Sequence, residues 1–240
     1  MRKTIKKIFN KMGYFICKKK YLRSGYDFWI DLKERISINV DNIFDVGANV
    51  GNVALKMAVE FPAAEICCFE PIKGTFDQLQ KSVKGYNNIN CFHLAFGGSS
   101  TNKKVKVFER EKSVFNSLRE NSMNNNLNAA EEIVQVKKLD DFCSEKNIKQ
   151  IDLLKIDTEG YELEVISGSK EMLQNGKIMA IYCEVGFNPQ NRRNTYWDDL
   201  NKTLYLFGYS FYGLYDVSNL QIRTGGNYGN ALYLHNSITK

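Results

Sequence analysis

Four acidic residues stand where apolar runs give way to turns. Asp45 lies just inside the end of its run, Glu70 follows Ala64 to Phe69, Asp157 follows Ile151 to Ile156, and Glu184 follows Ile178 to Cys183. If these runs are neighbouring parallel strands, the four carboxylates gather along one edge of a sheet. Like charges repel there and need a ligand or a cation to offset them. Open parallel sheets bind ligands beyond the carboxyl ends of their strands, so chemistry belongs at this edge.

The first acid opens the stretch Asp45-Val-Gly47-Ala-Asn49-Val-Gly51. Glycines at 47 and 51 permit a sharp turn and the close approach of a ligand. A helix from Val53 to Glu60 would aim its N-terminal N–H groups back at that turn. A dinucleotide site would instead read G-x-G-x-x-G, its middle glycine admitting a pyrophosphate. Here an acid precedes the first glycine, which repels a pyrophosphate and suits an ammonium. Glu70, at the tip of the next strand and before the strand-ending Pro71, suits a ribose diol. A ligand with a ribose, a cationic amino-acid end and no phosphate is S-adenosylmethionine.

Asp45-Val-Gly-Ala-Asn-Val-Gly51, Phe69-Glu-Pro71 and Leu154-Lys-Ile-Asp-Thr-Glu-Gly-Tyr-Glu162 together resemble the FkbM family of S-adenosylmethionine-dependent methyltransferases over roughly residues 42 to 235. The third stretch is the most specific part of the resemblance. It implies a class I, Rossmann-like methyltransferase fold with a seven-stranded, mostly parallel sheet and an antiparallel last strand. It also implies methylation of a hydroxyl, often on a sugar or another secondary metabolite; a polysaccharide, a lipopolysaccharide or a glycosylated metabolite would suit. Carried over residue by residue, Asp45, Gly47, Asn49 and Gly51 would hold the methionine end. Glu70, with Pro71 beside it, would hold the ribose, and Ala95 with Phe96 would lie against the adenine. Similar proteins often carry an acid shortly after that alanine, where this chain has Gly97-Gly98-Ser99. Ser113 to Leu118 resembles a polar segment near the acceptor.

Transfer to an alcohol needs alignment, worth about 7–11 kcal/mol. It also needs a base, worth about 10²–10⁴ in rate. Asp157 is the first candidate for the acceptor side, as base or metal ligand, and Glu184 is the second. Glu159 would orient the site, and both Asp157 and Glu159 could alternatively cap the helix beginning at Tyr161. Asp157 with Glu184 could hold Mg²⁺, although two carboxylates alone define no metal site. His93 reads as a core residue inside a strand, and His235 as a surface or loop residue. Arg192 and Arg193 read as a solvated loop that could otherwise meet an anionic acceptor. A nicotinamide-dependent oxidoreductase and a non-catalytic cofactor-binding partner module are the competing readings. The missing dinucleotide pattern argues against the first, and the intact acids at every strand tip against the second.

The elements that must position these residues alternate strand and helix from Ile43 to Leu94, the pattern of a parallel sheet with right-handed crossovers. Strands follow at Val105 to Phe108 and Ile133 to Lys137, with a polar, Asn-rich stretch from Glu111 to Ala130 between them. A helix is predicted from Tyr161 to Leu173, ended by Asn175-Gly176, another from Thr195 to Leu206, and a final hairpin over Tyr209 to Tyr215 and Ala231 to His235. The result is one doubly wound α/β domain over residues 41–240, with a helical extension over residues 1–40.

The chain has 240 residues and a net charge of +6, but nine Lys and Arg and no acid fall between Met1 and Arg23. The remainder, with 24 basic and 27 acidic residues, is near −3, so the basicity is no nucleic-acid footprint. Ile5, Ile8, Phe9, Met12, Phe15 and Ile16 fall on one helical face, with Lys3, Lys6, Lys7 and Lys11 on another. Such a basic amphipathic helix packs its stripe on the body or a second subunit, or lies on an anionic membrane. The stretch has no signal-peptide pattern. The six cysteines show no paired or zinc-like spacing and read as free thiols of a cytoplasmic protein.

Overall fold

Successive strand residues face opposite ways, and in the central strands both faces are apolar. Ile43, Ile66, Leu153 and Ala180 look into one buried cluster. Phe44, Cys67, Leu154 and Ile181, each one residue later, look into another. Strands buried on both sides must be covered by helices on both sides, and a computed structural model shows that arrangement. It describes residues 2–14, 16–107, 130–190, 193–218 and 228–238.

The main sheet has seven strands in the order β3-β2-β1-β7-β8-β10-β9. These are β1 (Asn42–Val46), β2 (Glu65–Phe69), β3 (Ile89–Phe92), β7 (Ile151–Ile156), β8 (Ile178–Gly186), β9 (Tyr209–Tyr215) and β10 (Tyr228–His235). β1, β2, β3, β7 and β8 are mutually parallel. β10 runs antiparallel to both β8 and β9. The expected antiparallel last strand is therefore present, inserted between its two predecessors. A second, three-stranded sheet, β4 (Ala95–Phe96), β6 (Ala130–Lys137) and β5 (Thr101–Val107), was not foreseen as a separate layer.

The helices are α1 (Arg2–Lys11), α2 (Phe28–Ile30), α3 (Asn52–Glu60), α4 (Lys73–Ser82), α5 (Leu139–Glu145), α6 (Glu162–Ser167), α7 (Lys170–Gln174) and α8 (Trp197–Leu206). The single helix predicted from Tyr161 to Leu173 is two helices. A Cβ on Gly168 would lie 2.1 Å from the carbonyl oxygen of Gly97, so the chain turns there to let the two segments touch. Asp140 then accepts hydrogen bonds from the backbone N–H groups of Glu171 and Met172 at 2.9 and 3.0 Å, satisfying the new helix start.

Residues 28 to 40 belong to the body, which corrects the 1–40 extension. Phe28, Leu32, Ile36 and Val40 are buried in the same cluster as Ile43 and Leu153. Phe28 stacks on Tyr182 with ring centroids 4.0 Å apart. A π-helical turn, Asp31–Arg35, continues α2. It buries Asp31, whose carboxylate accepts from Tyr215 Oη at 2.7 Å and Gly25 N at 2.6 Å and pairs with Arg35 at 2.5 Å. By contrast, Ile5, Ile8, Phe9 and Met12 are exposed, so the apolar stripe of α1 is not packed on the body.

His93 lies beyond the end of β3, exposed, stacked on Phe76 and 3.8 Å from Glu132; it is no core residue. His235 ends β10 and packs at the turn of Gly176, on the opposite edge of the sheet from the acids. The six cysteines are free. The predicted segments Glu111 to Ala129 (with Ser113 to Leu118), Phe15, Phe108, Arg192 and Gly225 to Asn227 lie outside the described residues.

Removing Asp31 would strand a buried hydroxyl and an arginine. Asp31→Ala is expected to cost about 3 kcal/mol in urea unfolding. Tyr215→Phe, which removes one neutral donor, should cost about 1 kcal/mol.

Candidate active site at the carboxyl edge of the sheet

Strand register brings the first charged residues together. Asp45 of β1 lies directly beside Lys155 of β7. Their side chains share a face, with Lys155 Nζ 2.9 Å from Asp45 Oδ1 and both residues buried. The same ammonium reaches Asp157 Oδ2 at 3.5 Å and donates to the carbonyl oxygen of Gly47 at 3.2 Å. Burial alone would lower the pKa of Lys155, but Asp45 above all, then Asp157, more than offset this and hold it above the ordinary lysine range. The acid expected to meet a ligand's ammonium thus meets one from its own chain.

The glycines also serve the fold more directly than expected. Gly47 has φ 77°, and a Cβ there would sit 1.9 Å from the carbonyl oxygen of Asp157. Gly51 has φ 92°, and its Cβ would meet Leu79 Cδ1 at 2.8 Å and Val83 Cγ1 at 3.2 Å. Their missing side chains let the β1 turn pack on the tip of β7 and on α4. Asn49, at φ 49°, takes a left-handed conformation that asparagine tolerates better than most residues.

Glu70 sits at the tip of β2 and is 6% exposed. Its two oxygens accept from the backbone N–H groups of Asn49 at 3.1 Å and Ile72 at 2.9 Å, so it joins the glycine turn to the start of α4. Burial pushes its pKa up to about 7, against the lowering effect of those two hydrogen bonds. Pro71 follows it, half-buried. Ala95 and Phe96, expected against an adenine, are both buried. Phe96 packs on Phe69 and Phe142 at centroid distances of 4.5 and 5.6 Å, and Ala95 joins the cluster of Ile72, Val105 and Val136. The Phe96 ring therefore serves the core.

On the other side of β1, Asp157, Glu159 and Glu184 converge, one carboxylate oxygen of each lying within 4.8 Å of the others. Glu184 stands within β8 rather than at its end, opposite Asn230 of β10, and accepts from Asn194 Nδ2 at 2.5 Å. Burial first, then the charges of Asp157, Glu159 and Glu162, push its pKa up to about 8, with Arg193 acting in the opposite sense. Glu159, at φ 52°, accepts from Arg193 Nε at 2.7 Å and from a second guanidinium nitrogen at 3.1 Å. Its pKa is raised, by burial above all and against Arg193. Arg193 is thus the exposed loop residue expected from sequence, and it also pairs with Glu159 of this cluster.

Neither Asp157 nor Glu159 caps α6, whose start has no side-chain cap. Glu162 holds that turn, a role the sequence analysis did not assign. Fully buried, it accepts from Thr158 N, Thr158 Oγ1 and Gly160 N, each at 3.0 Å, and from Thr195 Oγ1 at 2.5 Å. The legible signal was an acid on the helix face shared with Val165 and Ile166, where a carboxylate needs donors.

A family model described as the methyltransferase FkbM domain matches residues 45–211. The 2-O-methyltransferase NoeI of Sinorhizobium fredii is 28% identical over 156 residues, covering 59% of this chain and 62% of its own. The hexuronic acid methyltransferase AglP of Haloferax volcanii is 25% identical over 152 residues, covering 63% of this chain and 59% of its own. This chain thus spans less than two thirds of these relatives' length. Among solved structures, the methyltransferase domain of METTL16 superposes with a TM-score of 0.50 at 14% identity, over 87% of this chain and 64% of that one. The fold is the class I, Rossmann-like one.

Lys155→Met would leave Asp45 buried without its cation and should cost about 3–5 kcal/mol in chemical denaturation. Replacing both partners, Asp45→Leu with Lys155→Met, should recover most of that loss. Recovery of less than half would mean that Lys155 stabilises mainly through Asp157 and Gly47.

Proposed function

The chain belongs to the FkbM methyltransferase domain family, and on that premise we propose that it transfers a methyl group from S-adenosylmethionine to a hydroxyl of a sugar or glycan. The observation that carries this reading is the pairing, on one sheet edge, of a ribose-type carboxylate at Glu70 with the convergent acids Asp157, Glu159 and Glu184. The relatives NoeI, a 2-O-methyltransferase, and AglP, a hexuronic acid methyltransferase, support a sugar acceptor.

The residues fit the cofactor at its ribose. Glu70 spends one acceptor position on each oxygen and keeps lone pairs for two hydroxyls. The turn from Gly47 to Gly51 would line the methionine end through its backbone, with Asp45 acting beneath it through Lys155. When bound, S-adenosylmethionine supplies a methyl group on a sulfonium, open to in-line displacement. The protein's part is to orient the acceptor and take its proton. Glu184 is the base this reading favours, because a carboxyl titrating near pH 8 is far more basic than an ordinary one. Asp157, tied to Lys155, binds the acceptor hydroxyl beside it, while Glu159 and Arg193 orient the turn. Mg²⁺ has no assigned role.

Calorimetric titration with S-adenosylmethionine tests the cofactor. The wild type should bind and Glu70→Ala should bind about tenfold more weakly or worse, the loss of a charged hydrogen-bond acceptor. No binding by the wild type would end the proposal. As pH rises through about 7, Glu70 ionises and becomes a better acceptor, so affinity should rise there in the wild type and stay flat in Glu70→Gln. Release of S-adenosylhomocysteine over a panel of neutral sugars and uronic acids tests the acceptor. The rate should climb as pH passes about 8 and level off above it, because the base must lose its proton to work. Glu184→Gln should lower turnover by about 10²–10⁴; an unchanged rate would transfer the role to Asp157.

A further inference from the structure

We infer that α1 and the turn after it form a docking surface for an anionic lipid bilayer, independently of what the domain methylates. In α1 the side chains of Ile5, Ile8 and Phe9 are 43, 53 and 38% exposed, and Met12 in the following turn is 64% exposed. At 100° per residue these four span an arc of about 100°, the width of an apolar stripe meant to be covered. Lys6, Lys7 and Lys11, all exposed, occupy the rest of the helix circumference. Tyr14, Tyr21 and Tyr26 are exposed in the segment that follows, and such rings favour the boundary between apolar and wet phases.

Charge selects the occupant. From Met1 to Arg23 every ionised side chain is positive, whereas the remaining chain is slightly acidic. An apolar stripe framed by lysines matches a surface that is negative outside and oily beneath, which is the bilayer interface. A second copy of the chain would bring the same lysines face to face. No helix among the described residues is long and apolar enough to cross a membrane, so α1 lies along the surface. The exposed stripe contributes nothing to the body's core, so it can enter the interface without unfolding anything.

The test is flotation of the full chain with vesicles of phosphatidylcholine alone, or with about 30 mol% phosphatidylglycerol. Salt is set at about 0.05 M and about 1 M, where screening shortens from well over 10 Å to about 3 Å. The chain should float with the anionic vesicles at low salt and about tenfold less with neutral vesicles or at high salt. Ile8→Asp with Phe9→Asp, and separately Lys6→Glu, Lys7→Glu and Lys11→Glu together, should each abolish flotation while thermal melting is unchanged. Absence of flotation by the wild type, or flotation indifferent to lipid charge and to both sets of substitutions, overturns the inference. Self-association that Ile8→Asp removes, seen by sedimentation without any flotation, overturns it too and gives the stripe to a second copy.

Discussion

Everything at the carboxyl edge depends on one ion pair buried in the middle of the sheet. Asp45 and Lys155 are neighbours across β1 and β7, and neither could remain charged there alone. Because Lys155 also holds the Gly47 carbonyl and Asp157, the pair fixes the two halves of the site relative to each other. The glycine turn cannot drift from the β7 tip, since the oxygen of Asp157 occupies the space a Gly47 side chain would need. The geometry around any ligand is therefore set by contacts made during folding.

A second layer of constraint stiffens the side of the sheet edge that carries Asp157, Glu159 and Glu184. Glu162 gathers three donors from the turn before it and one from Thr195. That supports Glu159 in a left-handed backbone conformation, which costs a non-glycine residue about 1 kcal/mol or more. With Arg193 bridging to Glu159 and Asn194 holding Glu184, the polypeptide around the three acids is tied at several points. A site held in this way would carry little reorganisation into a reaction, which is where positioning contributes to rate.

The strand tips were legible because an acid after an apolar run is a local pattern. Glu70, Asp157 and the turn after β1 stand close to where spacing puts them, and the alternation of β1 to β3 follows from the same local signals. What was not legible depended on distant register. Nothing local in Asp45 reveals that Lys155, on a strand far along the chain, will take its charge, nor that Gly97 will press against Gly168 and divide a helix. The small sheet was missed as a layer because β4 is two residues long and β5 alternates like any surface strand. Asp31 escaped notice because its partner, Tyr215, lies in β9, almost at the other end of the chain.

The position of β10 has a consequence for how the chain is made. As it leaves the ribosome, β9 appears before the strand that must separate it from β8, and its sheet neighbour is β10 alone. Until residues 228–235 emerge, one edge of β8 is bare, and Ala231, Leu232, Tyr233 and Leu234 are missing from both apolar clusters. β10, the last strand among the described residues, is thus the keystone of the sheet. Between the emergence of β8 and that of β10 the nascent domain carries an open, sticky edge, a stage at which chaperones have much to shield.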